Sequence, residues 1–107
     1  MGNESPYVLE GEEIIREGER RIPSVVWEDF VTVSTAGVEL YVNGSSDTAN
    51  WLSGTSAVAG NVQTCPTLTV PSGTGGVTAV LEPAVISNSQ TWKTGIIYRV
   101  LKPGAPR

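Results

Sequence analysis

The sequence has no histidine, and Cys65 is its only cysteine. Without histidine the chain lacks the commonest general base, the Ser-His-Asp arrangement and the usual nitrogen ligand of zinc. One cysteine can form no intrachain disulfide, and with no histidine beside it Cys65 is a poor nucleophile; we interpret it as a small buried residue. We therefore expect a protein without enzymatic activity, cofactor or bound metal, assembled in a reducing cytoplasm.

Long apolar runs and a basic surface are also missing. No run of about 18 apolar residues occurs, and the acidic N-terminus has no apolar segment typical of a secretion signal, so we expect no membrane partner. The formal net charge is −4, and the one local basic cluster, Arg20-Arg21, has Glu17 and Glu19 beside it. Nucleic acid is therefore not expected as a partner either.

Charge is absent altogether from one long stretch. The 34 residues from Thr48 to Leu81 include no Asp, Glu, Lys or Arg, although 17% of the chain is charged. Turn signals at Gly54, Gly60 and 73–76 divide this stretch into short strands, so about half of its side chains should face outward. A free surface normally carries charges for solubility. The stretch therefore predicts both a sheet core and an outward surface covered by a neighbouring protein.

The first 23 residues differ from the rest in charge. Residues 1–30 hold eight acids and three arginines, whereas residues 31–107 hold three acids and four bases. Residues 1–23 predict an extended arm with one or two helical turns. Fixing about 20 residues costs roughly 20–40 kcal/mol of backbone entropy, so we expect the arm to be ordered only on a partner. Its predicted partner-binding residues are the apolar ones: Tyr7, Val8, Leu9, Ile14 and Ile15.

Residues 24–102 have the pattern of an antiparallel β-sandwich, and residues 103–107 form an irregular tail. Short segments rich in β-branched and aromatic residues alternate with turn signals every 8–15 residues. Asn43-Gly44 is a strong hairpin signal, Ala36-Gly37 predicts a turn, and Glu28-Asp29 suggests a bend. Prolines are expected to interrupt two strands. The predicted strands are 25–33, 38–42, 56–59, 62–65 and 67–70 around Pro66, 77–87 with a break at Pro83, and 90–101.

The three tryptophans fall into two groups: two predicted core positions and one position with a possible binding role. Trp27 and Trp92 lie in strong strand patterns and are interpreted as core residues. Trp51, beside Leu52 in a polar loop, has two readings. In the first it folds back over one end of the sandwich; in the second Trp51 and Leu52 anchor a partner.

Five segments between residues 38 and 92 share a common arrangement of strands and turns: Val38-Glu-Leu-Tyr-Val-Asn-Gly44, Leu52-Ser-Gly54, Gly60-Asn-Val-Gln-Thr-Cys-Pro-Thr-Leu68, the glycine loop at 73–76, and Gln90-Thr-Trp92. With this arrangement the chain resembles, over roughly residues 30–101, the small immunoglobulin-like proteins of tailed bacteriophages, which are capsid decoration or head–tail accessory proteins. The arm is a second shared feature, although its acidity and the two interrupting prolines depart from the pattern.

The resemblance implies an all-β, immunoglobulin-like antiparallel sandwich with an extended N-terminal arm. It further implies a non-enzymatic virion protein, assembled in the host cytoplasm, that cements a capsid. Its expected partners are the major capsid protein or other virion subunits and further copies of itself. The residues also leave a second class of function open: a carbohydrate-binding or adhesin module in which Trp51 and Tyr41 stack on sugar rings.

Overall fold

The structure, a computed structural model, describes residues 7–27, 35–87 and 89–104. Nearly all of its regular structure is β-strand, and α1 is a single helical turn. The predicted all-β sandwich class is confirmed. The elements are β1 Tyr7–Arg16, β2 Arg20–Arg21, β3 Ser24–Val26, β4 Thr35–Val42, β5 Ser45–Ser46, α1 Thr48–Trp51, β6 Leu52–Ser53, β7 Ala57–Ala59, β8 Val62–Thr64, β9 Thr67–Thr69, β10 Thr78–Ser87 and β11 Gln90–Leu101.

The larger layer is a five-stranded sheet in the order β1-β11-β10-β4-β5. Its neighbours are antiparallel except β1 and β11, which run parallel. The predicted hairpin turn at Asn43-Gly44 is confirmed, since Val42 pairs with Ser45 and both turn residues have positive φ (51° and 87°). Two positive φ values in a two-residue loop match the right-handed twist of the flanking strands, and Asn and Gly tolerate them best.

The second layer consists of two three-stranded sheets, β2-β9-β6 and β3-β8-β7. Consecutive strands continue from one sheet to the other, with Pro23 between β2 and β3 and Pro66 between β9 and β8. The amide of Cys65 still donates to the carbonyl of Pro23 over 2.8 Å, which joins the two sheets across the break. A proline has no N–H to continue a ladder, so the predicted interruption at Pro66 is confirmed.

Two apolar clusters fill the space between the layers. The larger one joins the five-stranded sheet to the sheet containing β9. The smaller one, built on Val25, Trp27 and Val85, joins it to the sheet containing β8. Trp92 and Ile96 pack against the smaller cluster, so the core positions predicted for Trp27 and Trp92 are confirmed. The buried members of the larger cluster are Ile15, Leu40, Trp51, Cys65, Leu68, Val70, Ala79, Leu81, Tyr98 and Val100.

The N-terminal segment departs from the prediction. Residues 7–16 are extended, as expected, but they form an edge strand of the chain's own sheet, pairing with 93–101. Ile15 is fully buried in the larger cluster. The prediction that the arm is ordered only on a partner left out the contacts between the arm and the rest of its own chain. Backbone pairing to β11 and the burial of Ile15 supply within one chain the interactions that offset the ordering entropy.

Three local strand predictions are also changed or fall outside the described residues. The predicted break at Pro83 is wrong: β10 continues through it in the middle of the sheet, and Pro83 pairs with Val38 of β4. Only the pairing with β11 is interrupted there: Leu81 and Ala84 pair with β11, but among the described residues Glu82 and Pro83 between them do not. The missing N–H of Pro83 therefore lies on the β11 side. Ala36-Gly37 lies inside β4 rather than in a turn. The predicted strand 25–33 appears as β3, while residues 28–34 and the suggested bend lie outside the described residues.

Candidate interaction surface

The second layer exposes an aliphatic row on the side away from the core. Along 20–26 the exposure of the side chains alternates: Arg20, Ile22, Ser24 and Val26 are exposed, whereas Val25 is buried and Arg21 is half-buried and ion-paired with Glu13. Ile22 is 66% exposed and Val26 is 68% exposed, the two highest values among the large hydrophobic residues described. Single exposed aliphatic residues are ordinary, but here two of them stand on one edge of the same face.

The strand pairing extends this row across the sheet. Val26 pairs with Val62, and Val62 pairs with Ala59. The next row consists of Ser24, Thr64 and Ala57 in the same order. We call this surface the outer face; its members are Ile22, Ser24, Val26, Ala57, Ala59, Val62 and Thr64. None of these seven residues is charged, and the exposed Arg20, two residues before Ile22, borders the face.

The opposite side of the same sheet holds a buried amide network that fixes the strands. Gln63 is fully buried. Its Oε1 accepts a hydrogen bond from the indole Nε1 of Trp27 over 3.1 Å, and its Nε2 donates to the carbonyl of Gly37 (3.1 Å) and to Oγ of Ser56 (2.9 Å). Asn61 closes the sheet end, since its Nδ2 donates to the carbonyl of Trp27 over 2.7 Å. The network ties β8 to the end of β3 and to β4 in the other layer, so it holds the outer face at a fixed orientation.

Trp51 lies in the core rather than on the surface. It is 1% exposed, and its indole Nε1 donates to Oδ2 of Asp47 over 3.0 Å. The other carboxylate oxygen of Asp47 accepts from Nδ2 of Asn50 over 2.6 Å. Leu52 is half-buried and packs against the same core. The first reading of Trp51, folding back onto the sandwich, therefore describes the structure, and the predicted partner-binding role of Trp51 is corrected because the ring offers no accessible face.

The remaining partner-binding predictions are divided by the structure. Ile15 is fully buried, so its predicted role as a partner contact is also corrected. Ile14 is 48% exposed on β1, and its role stays a prediction, as does that of Leu52. Residues 7–9 pair with 93–95 of β11, but the side chains of Tyr7, Val8 and Leu9 lie outside the described residues. Sequence reasoning missed Ile22 and Val26, although their period-2 spacing around Ser24 would have indicated a common face.

Ion pairs lie on β1, β2, β10 and β11. Glu12 and Glu13 of β1 form ion pairs with Arg99 and Arg21, and Glu82 forms one with Lys93 over 3.6 Å. Such exposed pairs contribute little to stability, but they mark these strands as solvent-facing surfaces. The outer face lacks equivalent groups.

The described residues include an uncharged cleft and a buried thiol. A cleft of about 320 Å³ lies between α1, β4 and the β6–β7 connection. No group of three or more potential metal-binding side chains occurs in the described parts of the chain. Burial raises the pKa of the Cys65 thiol to about 11, so the sulfur is protonated at neutral pH. Within the described residues no helix is long and apolar enough to cross a membrane. The cleft is lined by Gly37, Val38, Thr48, Ala49, Leu52, Gly54, Thr55, Ser56 and Pro66, all uncharged.

Comparison with known proteins adds no relative to these observations. No protein-family model matches the chain, and no curated protein matches it significantly.

Proposed function

We propose that this protein is a non-enzymatic structural protein of a bacteriophage virion, a capsid decoration or cement protein that docks through its outer face. The observation that carries the proposal is the uncharged outer face with Ile22 and Val26 each about two-thirds exposed. Fully burying such a side chain contributes roughly 1.5–3 kcal/mol, so covering these two residues alone would supply a useful part of a binding free energy.

The composition of the surface supports a protein partner. Its exposed atoms come from Val, Ile, Ala, Ser and Thr, with no carboxylate or ammonium group to be desolvated on contact. Apolar contact centres surrounded by polar groups are typical of protein interfaces, and a rigid sheet loses little entropy when it docks. The major capsid protein or another virion subunit is the proposed partner, and the virion is the proposed location.

The resemblance to immunoglobulin-like phage proteins is the reason for choosing a virion among protein assemblies. In such an assembly, a bound protein stabilises the lattice by mass action, without any chemical step. Residues 7–16 of the arm are paired with β11 in the chain's own sheet, so the outer face, to which the arm contributes Ile22, carries this docking proposal.

The proposal is tested with particles assembled without this protein. Purified protein is mixed with such particles and sedimented through a density gradient, and we expect it to migrate with the capsid fraction. Val26→Lys places a charge among the most exposed aliphatic residues of the outer face and should reduce binding at least tenfold. Ser45→Lys, which adds the same charge to exposed strand β5 of the other sheet, is the matched control and should bind as the native chain does.

Two results would overturn the proposal. One is no co-sedimentation of the native protein at any accessible concentration. The other is equal binding by the Val26→Lys and Ser45→Lys proteins. Circular dichroism on both variants establishes that a loss of binding is not a loss of folding, which we do not expect because both positions are exposed.

No observation favours the carbohydrate-binding alternative. A sugar ring stacks on an accessible aromatic face. Trp51, one of its two candidate platforms, is 1% exposed and packed in the core.

A further inference from the structure

Strand β7 ends the second layer with an edge that, among the described residues, carries no charge, proline or bulge. Natural sheet edges are protected by short strand length, charged side chains, proline, bulges or a covering element. Ala57-Val58-Ala59 is regularly paired with β8, carries no charge or proline, and is exposed at all three positions. The edge is short, but the residues on either side of it, Ser56 and Gly60, are also uncharged.

β1, one of the two edge strands of the five-stranded sheet, shows a contrast. Glu12 and Glu13 lie on β1, and both are exposed and ion-paired. A register irregularity between Leu9 and Gly11 further disturbs pairing along that strand. β1 therefore carries both charge and a bulge, two of the standard protections, whereas β7 carries neither.

We propose that β7 pairs antiparallel with β7 of a second copy, which joins the second layers of two molecules into one continuous sheet. The segment Ala-Val-Ala reads the same in both directions. A two-fold axis at Val58 therefore places Val58 opposite Val58 and each alanine opposite an alanine of the partner copy. Pairing about a two-fold axis is the commonest form of self-association, and it is closed at two copies.

The observed registers define what such a pair would bring together. On the core side, the row Val25–Gln63–Val58 of one copy continues into the same row reversed in the other. On the outer face, the row Val26–Val62–Ala59 continues into the partner's Ala57, Thr64 and Ser24. No charged residue stands in any of these rows, so two chains of net charge −4 can meet here without like charges placed opposite one another.

A second copy fits this edge better than an unrelated strand, because the copy supplies matched small side chains at every position. Ala57 and Ala59 are small enough to let the backbones approach to the normal strand spacing. The union also doubles the outer face, with the aliphatic row of each copy continuing into the partner copy's row of Ala57, Thr64 and Ser24. The biological role of this dimer, docking through two outer faces at once, rests on the proposed function. The dimer itself is tested with purified protein alone.

The first experiment measures mass against concentration by sedimentation velocity, from about 1 µM to about 1 mM, the range suited to a weak dimer. We expect the mass to rise from 11.3 kDa toward twice that value. Val58→Lys adds a charge at the edge, on the side that faces the core, and should hold the protein at the monomer mass. Ser45→Lys should dimerise like the native chain.

The second experiment tests the register without relying on affinity. Val58→Cys places two sulfurs across the proposed axis, where opposed residues lie about 4.5–5.5 Å apart between Cα atoms, within the range of a disulfide. Mild oxidation should therefore give a covalent dimer at least tenfold faster than with Ser45→Cys. The native Cys65 is buried and serves as the background in both.

Three outcomes would overturn the inference: a monomer at all concentrations, a dimer unaffected by Val58→Lys in a folded protein, or equal oxidation rates for the two cysteine variants. A monomer that still co-sediments with particles would remove the strand pairing and leave the proposed function standing. A dimer that fails to co-sediment would do the reverse.

Discussion

Replacing Gln63 by leucine is the most direct test of how the second layer is held. Gln63 makes three hydrogen bonds, but their surroundings differ. The bond to the Trp27 indole is buried, whereas the bonds to Gly37 and Ser56 are partly buried. Leucine fills a similar volume, so the substitution removes polar partners with little change in packing.

The magnitude follows from those surroundings. Stranding the buried indole N–H of Trp27 should cost about 1–3 kcal/mol, and losing the two partly buried bonds about 0.5–1.5 kcal/mol each. Replacing an amide by an apolar side chain in the core offsets part of this sum. We expect a net loss of roughly 2–4 kcal/mol in the free energy of unfolding, a large share of the 5–15 kcal/mol of an ordinary domain.

Urea denaturation followed by circular dichroism measures this loss without depending on tryptophan fluorescence. A double-mutant cycle with Trp27→Phe isolates the bond between the two side chains, and we expect a coupling of about 1 kcal/mol. Gln63→Glu is the control, because it keeps an oxygen acceptor for the indole but buries a charge and should also be strongly destabilising. A loss below about 0.5 kcal/mol for Gln63→Leu would refute the claim that this network holds the two layers.

Three further predictions concern single positions. Ile15→Ala should lower the free energy of unfolding by about 2–5 kcal/mol in chemical denaturation, because its side chain is fully buried; a loss below about 1 kcal/mol would show that β1 is not part of the core. Gly75→Ala should cost about 1–3 kcal/mol in the same assay, because a Cβ there would lie 2.9 Å from Cδ of Pro103 and 3.0 Å from Cα of Lys102, whereas Ala at the open position Gly37 is the control for added volume. The unfolded Cys65 thiol ionises from about pH 9, whereas the folded one stays protonated to about pH 11, so stability should fall across this window by on the order of 2 kcal/mol. Cys65→Ala should remove that part of the fall, and identical pH profiles for the two proteins would contradict the assignment.

Local sequence chemistry was sufficient for much of the strand pattern. Asn43-Gly44 specified its hairpin because few residues accept two consecutive positive φ values. Pro66 marked the break between β8 and β9 because a missing N–H acts locally, whatever the fold. Pro83 shows the limit of the same reasoning, since its neighbour β4 keeps it in a continuous central strand.

The candidate surface was predicted only in its composition. The charge-free stretch indicated that an uncharged outward surface would exist, and the outer face includes four of its residues: Ala57, Ala59, Val62 and Thr64. The two most exposed aliphatic residues, Ile22 and Val26, come from outside the stretch. Only strand pairing brings Ile22 and Val26 next to the charge-free stretch, because β3 and β8 are far apart in sequence.

The sequence by itself determined that this chain is an all-β protein with a buried cysteine and a long uncharged segment. Alternation, turn residues and missing residue types are local properties and can be read without the fold. Tertiary structure alone decided that residues 7–16 complete the chain's own sheet, that Trp51 turns inward onto Asp47, and that β7 forms an exposed edge. Each of these depends on which distant strand pairs or packs nearby, which is a matter of long-range contacts.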